Sequence, residues 1–448
     1  MPVSTTPPPA QASTEPPADA ATPPAPAASP APRRSLIHHA DFRRLWGGDA
    51  LGQLGAQLTV IALPVLAVDH LAATEWEMGI LSAAESLAFL VIGLPAGAWV
   101  DRMRKRNVLI TADLVRGLVL AVVVAAALTG HASMPLLIGA ALVISVCSTF
   151  FDVAHQSYVP WLVGLDHIVE GNSKLQSTQS VAQVVAPAVA GALLRVVTAP
   201  LLIAINAVTY VVSAFAVGRI RHREQPPAPE TRRPLRVEIA EGLRFVVHQP
   251  LLRRIVACTG IGNLFGTAAG SLSAIYALRI LGLDTVAFGT VLSAGAIGGL
   301  VGAVAADRLA RLVGEGRIIP LSAMLFVPAA ALPPLAVVLD VPPVAVLIAG
   351  GLLFSFSVVV YNVAQVSFRQ RLCPPALLGR MNASVRFFVW GTMPLGGVLG
   401  GWLGTSLGVV PTLWVCAGGA LLSTLPVVFS PLLRMRDLPR PESVETTA

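Results

Sequence analysis

Charge is scarce in this chain: Asp, Glu, Lys and Arg together make up 12% of its 448 residues. A soluble domain usually carries about 25%. Lysine is nearly absent, because Lys105 and Lys174 are the only two. Hydrophobic residues account for 54% of the sequence, and so few polar side chains could not cover the surface of a water-soluble core. The composition therefore excludes a soluble protein and predicts an integral membrane protein.

Motifs of enzymes and ATP-driven pumps are also missing. The sequence has no Gly-x-x-x-x-Gly-Lys loop for nucleotide phosphates. Its four cysteines form no Cys-x-x-Cys pair and lie in or beside apolar runs, as small buried hydrophobes do. The histidines His38, His39 and His155 have no metal-ligand spacing, so we interpret them as residues of the membrane interface. We therefore expect no enzyme activity, no cofactor and no metal site, and any transport must use an ion gradient or the substrate gradient.

Apolar runs long enough to cross a bilayer as helices recur from Leu45 onward. The tail before them, residues 1–35, is rich in Pro and Ala and lacks large apolar side chains, which predicts disorder. We place twelve transmembrane spans, at residues 45–68, 77–100, 107–129, 134–157, 173–198, 200–218, 252–278, 285–306, 317–339, 343–366, 379–404 and 410–432. The chain is thus predicted to be an all-α membrane protein.

Basic residues concentrate in alternate loops. The longest of these loops, between Arg219 and Gln249, contains a cluster of arginines. The loops on the other side carry mainly acids such as Asp284 and Asp340, and Arg279 is a cation near a helix end there. Because basic loops stay in the cytoplasm, both termini are predicted to be cytoplasmic. The net charge of +7 follows from this bias and not from a nucleic-acid site, since no soluble segment is large enough to present a folded basic face.

An internal repeat divides the chain. Residues 151–158, FDVAHQSY, match residues 361–368, YNVAQVSF, at a distance of 210 residues. Two similar six-helix halves are typical of transporters that rock about a central site. The predicted domains are a tail over 1–35, a six-helix bundle over 36–218, a basic cytoplasmic linker over 219–250, a second bundle over 251–434 and a cytoplasmic tail over 435–448.

The loop between spans two and three carries the most specific motif. Gly97, Asp101, Arg102 and Arg106 match the pattern Gly-x-x-x-Asp-Arg/Lys-x-Gly-Arg-Arg/Lys, with Arg104 in place of the second glycine. In this motif and in its layout, the chain resembles the major facilitator superfamily. It is similar to bacterial twelve-helix exporters, which include drug-efflux and enterobactin-exporter-like proteins. The resemblance implies a monomeric protein of the bacterial cytoplasmic membrane.

The resemblance also implies roles for two motifs. Asp101 would meet the start of span eleven at a cytoplasmic gate, where Arg386 either pairs with it or extends to the membrane surface. In span five, Ala186-Pro187-Ala-Val-Ala190-Gly191 resembles the Gly-Pro-x-x-Gly-Gly motif of antiporters, in which the two halves approach closely. The match favours export in exchange for protons. In span seven, the fourfold spacing of Gly262, Gly266 and Gly270 is typical of plain helix packing.

Ionisable residues within spans are costly and therefore mark candidate sites. Asp113 and Arg116 share a helix face in span three, and we interpret them as a structural ion pair. Glu85 in span two is predicted at a depth similar to that of Arg116, and it is the first candidate for proton coupling. Asp49 lies about one turn from the cytoplasmic end of span one. We interpret it first as a residue solvated at the interface, and it is the second candidate for proton coupling.

The sequence thus predicts a secondary transporter that exports small amphipathic molecules, such as drugs or metabolites, by alternating access with protons. Its expected partners are the lipid bilayer, a small-molecule substrate and protons, and no nucleic acid. A specific nutrient importer or facilitator is an alternative. A non-transporting receptor or a lipid-handling protein on the same scaffold is another, although the chain has no folded soluble output domain.

Overall fold

The computed structural model describes residues 35–164, 167–221, 235–373 and 377–436, which are almost wholly helical and contain no strand. The predicted tail over 1–35, except its last residue, and residues 437–448 lie outside these ranges. The α-helices in the described ranges are α1 Ala40–Val65, α2 Glu75–Asp101, α3 Lys105–Leu128, α4 Met134–Val163, α5 Ile168–Leu193, α6 Ala199–Gly218, α7 Leu235–His248, α8 Pro250–Ser271, α9 Thr285–Val313, α10 Ile318–Met324, α11 Phe326–Leu335, α12 Pro343–Leu372, α13 Leu378–Trp390, α14 Thr392–Leu407 and α15 Val409–Val428.

Nine helical segments within the described ranges are long and apolar enough to cross a membrane. They coincide with nine of the predicted spans. The other three predicted spans, 173–198, 252–278 and 379–404, are helical as well but carry more polar residues. The predicted all-α membrane fold is confirmed, whereas the count of twelve crossings stays a prediction.

Two predicted spans are broken by prolines. The span predicted over 317–339 consists of α10 and α11, and the span over 379–404 consists of α13 and α14. Pro328 has no N–H to donate to the carbonyl of Met324, and Pro394 has none for that of Trp390. A helix is weakened at the turn before such a proline, and both breaks occur there.

The turns after α1 and α8 have the same structure. Each helix continues into a π-helical turn, Leu66–His70 and Ile275–Ile280. A left-handed residue follows in each turn, Ala72 with φ 50° and Gly282 with φ 64°. Asp284 then caps α9 by accepting a hydrogen bond from the Ala287 N–H at 2.8 Å. The internal repeat is therefore visible in backbone conformation as well as in sequence.

A capping box begins α2 at the equivalent place. The hydroxyl of Thr74 accepts a hydrogen bond from the Glu77 N–H at 3.3 Å, and the Glu77 carboxylate accepts one from the Thr74 N–H at 2.9 Å. This reciprocal pair satisfies two N–H groups that a helix start otherwise leaves open. Consequently α2 begins at Glu75, earlier than the predicted residue 77.

The basic linker contains a helix that was not predicted. Residues 222–234 lie outside the described ranges, but Leu235–His248 form α7, which packs against α13. Glu241 on α7 forms an ion pair with Arg380 on α13. The segment read from its charge as a loop is thus partly an amphipathic helix attached to the second group of helices.

Helix packing joins the two groups of six spans at two places. Within the first group α1 and α3 pack on α6, and within the second group α9 packs on α12 and α8 on α15. Across the groups, α2 packs on α14 and α5 on α9. A Cβ added to Gly79 on α2 would lie 2.5 Å from the Gly401 Cα on α14, so glycine permits this close approach. The domain boundaries themselves stay predictions.

Candidate functional site

A polar cavity of about 800 Å³ lies among α1, α4 and α5. Its size falls within the usual range of ligand pockets, ≈ 300–1,000 Å³. Carboxylates, an imidazole and several amides line it together. The lining residues are Asp49, Gln53, Phe151, Asp152, His155, Gln156, Val159, Pro160, Ile168, Asn172, Ser173, Leu175, Gln176 and Gln179.

Asp49 lies farther from the helix start than predicted. Helix α1 begins at Ala40, where His39 accepts a hydrogen bond from the Phe42 N–H at 3.1 Å and caps the helix. At 1.5 Å per residue, Asp49 is about 13 Å from the helix start. Only 8% of its surface is exposed. Asp49 therefore lies more than one turn from the helix end, contrary to the prediction, because this cap starts the helix before the apolar run.

His155 is the partner of Asp49 in the cavity. Its Nε2 lies 3.8 Å from Asp49 Oδ1, which is too long for a hydrogen bond. The same Nε2 has no hydrogen-bond partner among the described residues. His155 thus lies beside a carboxylate of α1, a neighbour that the sequence did not indicate, and its position at the membrane interface stays a prediction.

Arg116 and Asp113 form a buried ion pair on α3. The guanidinium carbon of Arg116 lies 4.4 Å from the ring centre of Phe151 and 4.3 Å from that of Tyr210. Arg116 Nη1 also donates a hydrogen bond to the Ser148 hydroxyl at 3.3 Å. Two aromatic faces and a carboxylate thus hold the cation in the interior, where cation–π contacts are strongest.

Glu85 is not brought to Arg116. Its side chain is exposed on α2, and it has no hydrogen bond or ion pair with any described residue. Helix rise alone placed Glu85 and Arg116 at a similar depth, but rise says nothing about the direction in which each side chain points. Glu85 remains a candidate for coupling, without the partner that the sequence suggested.

Asp152 was missed by the sequence analysis. It lines the polar cavity with an exposed side chain, one residue after the Phe151 ring that contacts Arg116. The repeat contained a signal for it, since Asn362 occupies the equivalent place in the second half. A carboxylate in one repeat and an amide in the other marks a position where the halves differ in charge.

The gate motif is only partly described. Gly97 has open space around its Cα, Arg102 is exposed, and Arg106 donates to the last carbonyls of α6, those of Val217 and Gly218. The side chain of Asp101 lies outside the description, and so does its predicted contact with span eleven.

Two further arginines were assigned to this motif or to its predicted contact, Arg104 and Arg386. Arg104, at the place of the family glycine, has a φ of −72°, so the turn does not require a glycine. The guanidinium of Arg386 lies 5.5 Å from the ring centre of Trp390, with its side chain exposed.

The span-five motif lies at the contact between α5 and α9. Ala186 and Ala190 are buried. A Cβ added to Gly289 on α9 would lie 2.5 Å from the Pro187 carbonyl oxygen and 3.0 Å from the Gly191 Cα. The small residues of the motif therefore let the two helices approach to backbone contact.

Polar contacts join the helix groups at the predicted outer end, the end that holds the turns after α1, α5 and α8. Arg279 donates hydrogen bonds to the carbonyls of Ala73 at 2.6 Å and Val68 at 2.8 Å. Arg195 at the end of α5 pairs with Asp284 at 2.9 Å. The Ala287 N–H and the Arg195 guanidinium lower the pKa of the Asp284 carboxyl from its usual value. These contacts link loops of the first group to loops of the second.

A second cavity, of about 340 Å³, lies within the last six spans. Among the described residues, no Asp, Glu, Lys, Arg or His lines it. The stripe Gly262, Gly266 and Gly270 on α8 faces this space, and a Cβ added to Gly266 or Gly270 would meet no atom within 4 Å. These two glycines enlarge the cavity instead of packing a helix, contrary to the prediction from their spacing.

The sequence of this chain is similar to those of known membrane transporters. Residues 45–392 match the Major Facilitator Superfamily. The chain is 27% identical to the multidrug efflux pump Tap of Mycolicibacterium fortuitum, over 86% of this chain and 94% of that protein. It is 26% identical to macrolide efflux protein A of Streptococcus pyogenes, over 40% and 44% of the two chains.

A solved structure has the same fold. It is a bacterial homologue of the iron transporter ferroportin in an inward-facing state, with a TM-score of 0.71, 17% identity, and coverage of 88% of this chain and 99% of that one. This likeness concerns the fold alone. The match over most of the chain settles the family: this non-enzymatic, multi-pass membrane protein belongs to the Major Facilitator Superfamily.

Proposed function

We propose that this transporter exports small amphipathic molecules from the bacterial cytoplasm in exchange for protons. The observation that carries the proposal is the polar cavity, in which Asp49 and His155 lie 3.8 Å apart. The efflux activity named for two relatives, Tap and macrolide efflux protein A, supports the direction. Drugs and metabolites are the proposed cargo classes.

The coupling step follows from hydration. While the cavity is open to water, Asp49 is charged at little cost, because water solvates the carboxylate. When the cavity closes, the ionised carboxylate loses this solvation and becomes costly, and the neutral, protonated form is favoured. A proton taken up on one side and released on the other would thus be tied to closure. Glu85, on the α2 helix that contacts α14, is the other candidate carboxylate.

The helix contacts suit alternating access. The glycine contacts of α2 with α14 and of α5 with α9, together with the Arg279 hydrogen bonds, join the two groups at the predicted outer end. Opening of that end requires these contacts to separate, whereas the gate motif of Gly97, Asp101, Arg102 and Arg106 lies at the other end. We infer that the monomer is the transporting unit.

Inverted membrane vesicles provide the direct test. With an imposed proton gradient, acidic inside, vesicles that contain the protein should accumulate an efflux substrate such as a macrolide, and a protonophore should abolish the accumulation. Vesicles without the protein are the control. Accumulation only in right-side-out vesicles would instead identify an importer. Failure of a panel of drugs and metabolites to accumulate in either orientation would favour a receptor or a lipid-handling protein.

Topology is tested by cysteine labelling. In a background with the four native cysteines replaced, Asp340→Cys should react with an impermeant maleimide added to whole cells. Pro229→Cys, in the basic linker, should react only after the cells are permeabilised, because the positive loops stay inside. Labelling with the sides reversed would contradict the proposal that both termini are cytoplasmic.

A further inference from the structure

The apolar cavity occupies the place that the Arg116 cluster takes in the first half. Helix starts recur 210 residues apart, as for Ala40 and Pro250 or Ala199 and Val409. At this distance Phe326 corresponds to Arg116. Its ring lies 5.5 Å from that of Tyr361, as Arg116 lies against the corresponding Phe151. Each half therefore contains one copy of the same site. The first copy holds the cation Arg116 at its centre, and the second holds the ring of Phe326 at the equivalent place.

The second copy of the site is hollow because a large side chain is missing. Tyr210, which covers one face of Arg116, corresponds to Ala420. Ala420 lines the apolar cavity. Without the phenol ring, and with glycines along α8, the space is left as the cavity of about 340 Å³. Natural cores are close-packed, so an internal space of this size is expected to hold a ligand at some stage.

Charges of the first copy are neutral in the second. Asp49 corresponds to Thr259, whose hydroxyl lies 2.9 Å from the Tyr361 hydroxyl. Asp152 corresponds to Asn362, whose side-chain oxygen accepts a hydrogen bond from Gln365 at 3.2 Å while its amide nitrogen has no partner among the described residues. The second copy thus offers uncharged hydrogen-bonding groups on an apolar wall.

The geometry points to a binding site for an uncharged, largely apolar small molecule with a hydrogen-bonding group, in the cavity among α8, α9, α11, α12 and α15. This inference deepens the proposed function, since it takes the bound molecule to be the exported cargo. Protons are then handled by the charged copy of the site, and cargo by the neutral copy. A cation would find no carboxylate in the lining and would lose hydration without compensation.

Binding of naphthylmethanol tests the site, measured by equilibrium dialysis against purified protein in lipid nanodiscs with empty nanodiscs subtracted. Ala420→Tyr restores the side chain of Tyr210 and fills the cavity, so we expect binding about tenfold weaker or lower still. Leu421→Tyr is the matched control, because Leu421 lies next to it on α15 with 51% of its surface exposed. This control should bind as wild type does.

A second variant tests the charge argument and does not depend on cavity filling. Asn362→Asp introduces the carboxylate of Asp152. It should weaken naphthylmethanol binding and strengthen binding of the cation naphthylmethylammonium, which wild type should bind at least about tenfold less tightly than the alcohol. A purely structural role of Asn362 would not invert the preference between two ligands of the same shape.

Each of the following outcomes would overturn the inference: no binding by wild type above empty nanodiscs, equal binding by folded Ala420→Tyr, or unchanged ligand preference in Asn362→Asp. Binding that appears only after lipid is stripped would assign the cavity to an acyl chain and also overturn it. The export proposal fails separately. If vesicles accumulate no substrate while both variants behave as expected in dialysis, the cavity stands as a ligand site and the transport function does not.

Discussion

Asp49→Asn is expected to abolish uphill, proton-driven accumulation in inverted vesicles while it leaves exchange of labelled for unlabelled substrate intact. The amide mimics a permanently protonated carboxyl, so it can no longer take up and release a proton between the two states. Loss of the gradient-driven component should be nearly complete. Binding and downhill exchange need no titration at this position and should persist.

Glu85→Gln is the matched comparison, since it also neutralises an intramembrane carboxylate. Glu85 has no partner among the described residues, whereas Asp49 lies beside His155. We therefore expect proton-driven accumulation by Glu85→Gln to keep the pH dependence of wild type. The opposite pattern, with coupling retained in Asp49→Asn and lost in Glu85→Gln, would return the coupling role to Glu85. Loss of exchange in either variant would indicate damage to the fold or to substrate binding.

Arg116→Phe alone should prevent stable folding, whereas the double variant Asp113→Ala/Arg116→Phe should fold. The single change leaves Asp113, 1% exposed, as a buried charge without its partner, and breaking a buried pair in this way costs about 3–5 kcal/mol. The double change copies Ala323 and Phe326, which stand 210 residues later in the second half. That half packs without an ion pair at this place.

Thermal unfolding in detergent, followed by size-exclusion chromatography, measures both variants. Leu114→Phe is the control for adding an aromatic ring to α3, because Leu114 is 45% exposed; its melting temperature should match that of wild type. A wild-type melting temperature for Arg116→Phe would show that the pair is dispensable. A double variant no more stable than the single one would show that the two halves are not interchangeable here.

Hydropathy predicted the elements of this fold because the apolar length of a segment is a local property of the sequence. Apolar length identified the spans, and the match of 151–158 to 361–368 predicted the repeat that recurs in the turns after α1 and α8. Helix ends were less predictable. Asp49 was placed too near the helix start because the cap at His39 is polar and lies outside the apolar run.

The site itself required tertiary structure. Residue spacing placed Asp113 beside Arg116, since both lie on one helix face. The pairing of Asp49 with His155 joins α1 to α4, and no spacing along the chain reports which helices are neighbours. Glu85 and Arg116 illustrate the converse, because matched depth did not imply contact. The sequence analysis also did not predict that prolines break two spans or that glycines open the apolar cavity.

Arg279 joins the two halves through hydrogen bonds whose acceptors do not depend on side-chain identity. Both acceptors are backbone carbonyls, at Val68 and Ala73, and every amino acid supplies a carbonyl. Substitutions in that loop can therefore accumulate during evolution without weakening the contact, provided that the backbone keeps its path. The donor has no such freedom, because the planar guanidinium reaches two oxygens at once and the single ammonium of lysine lacks that fork. Substitutions are thus tolerated in the loop that supplies the acceptors and restricted at Arg279, which supplies the donors.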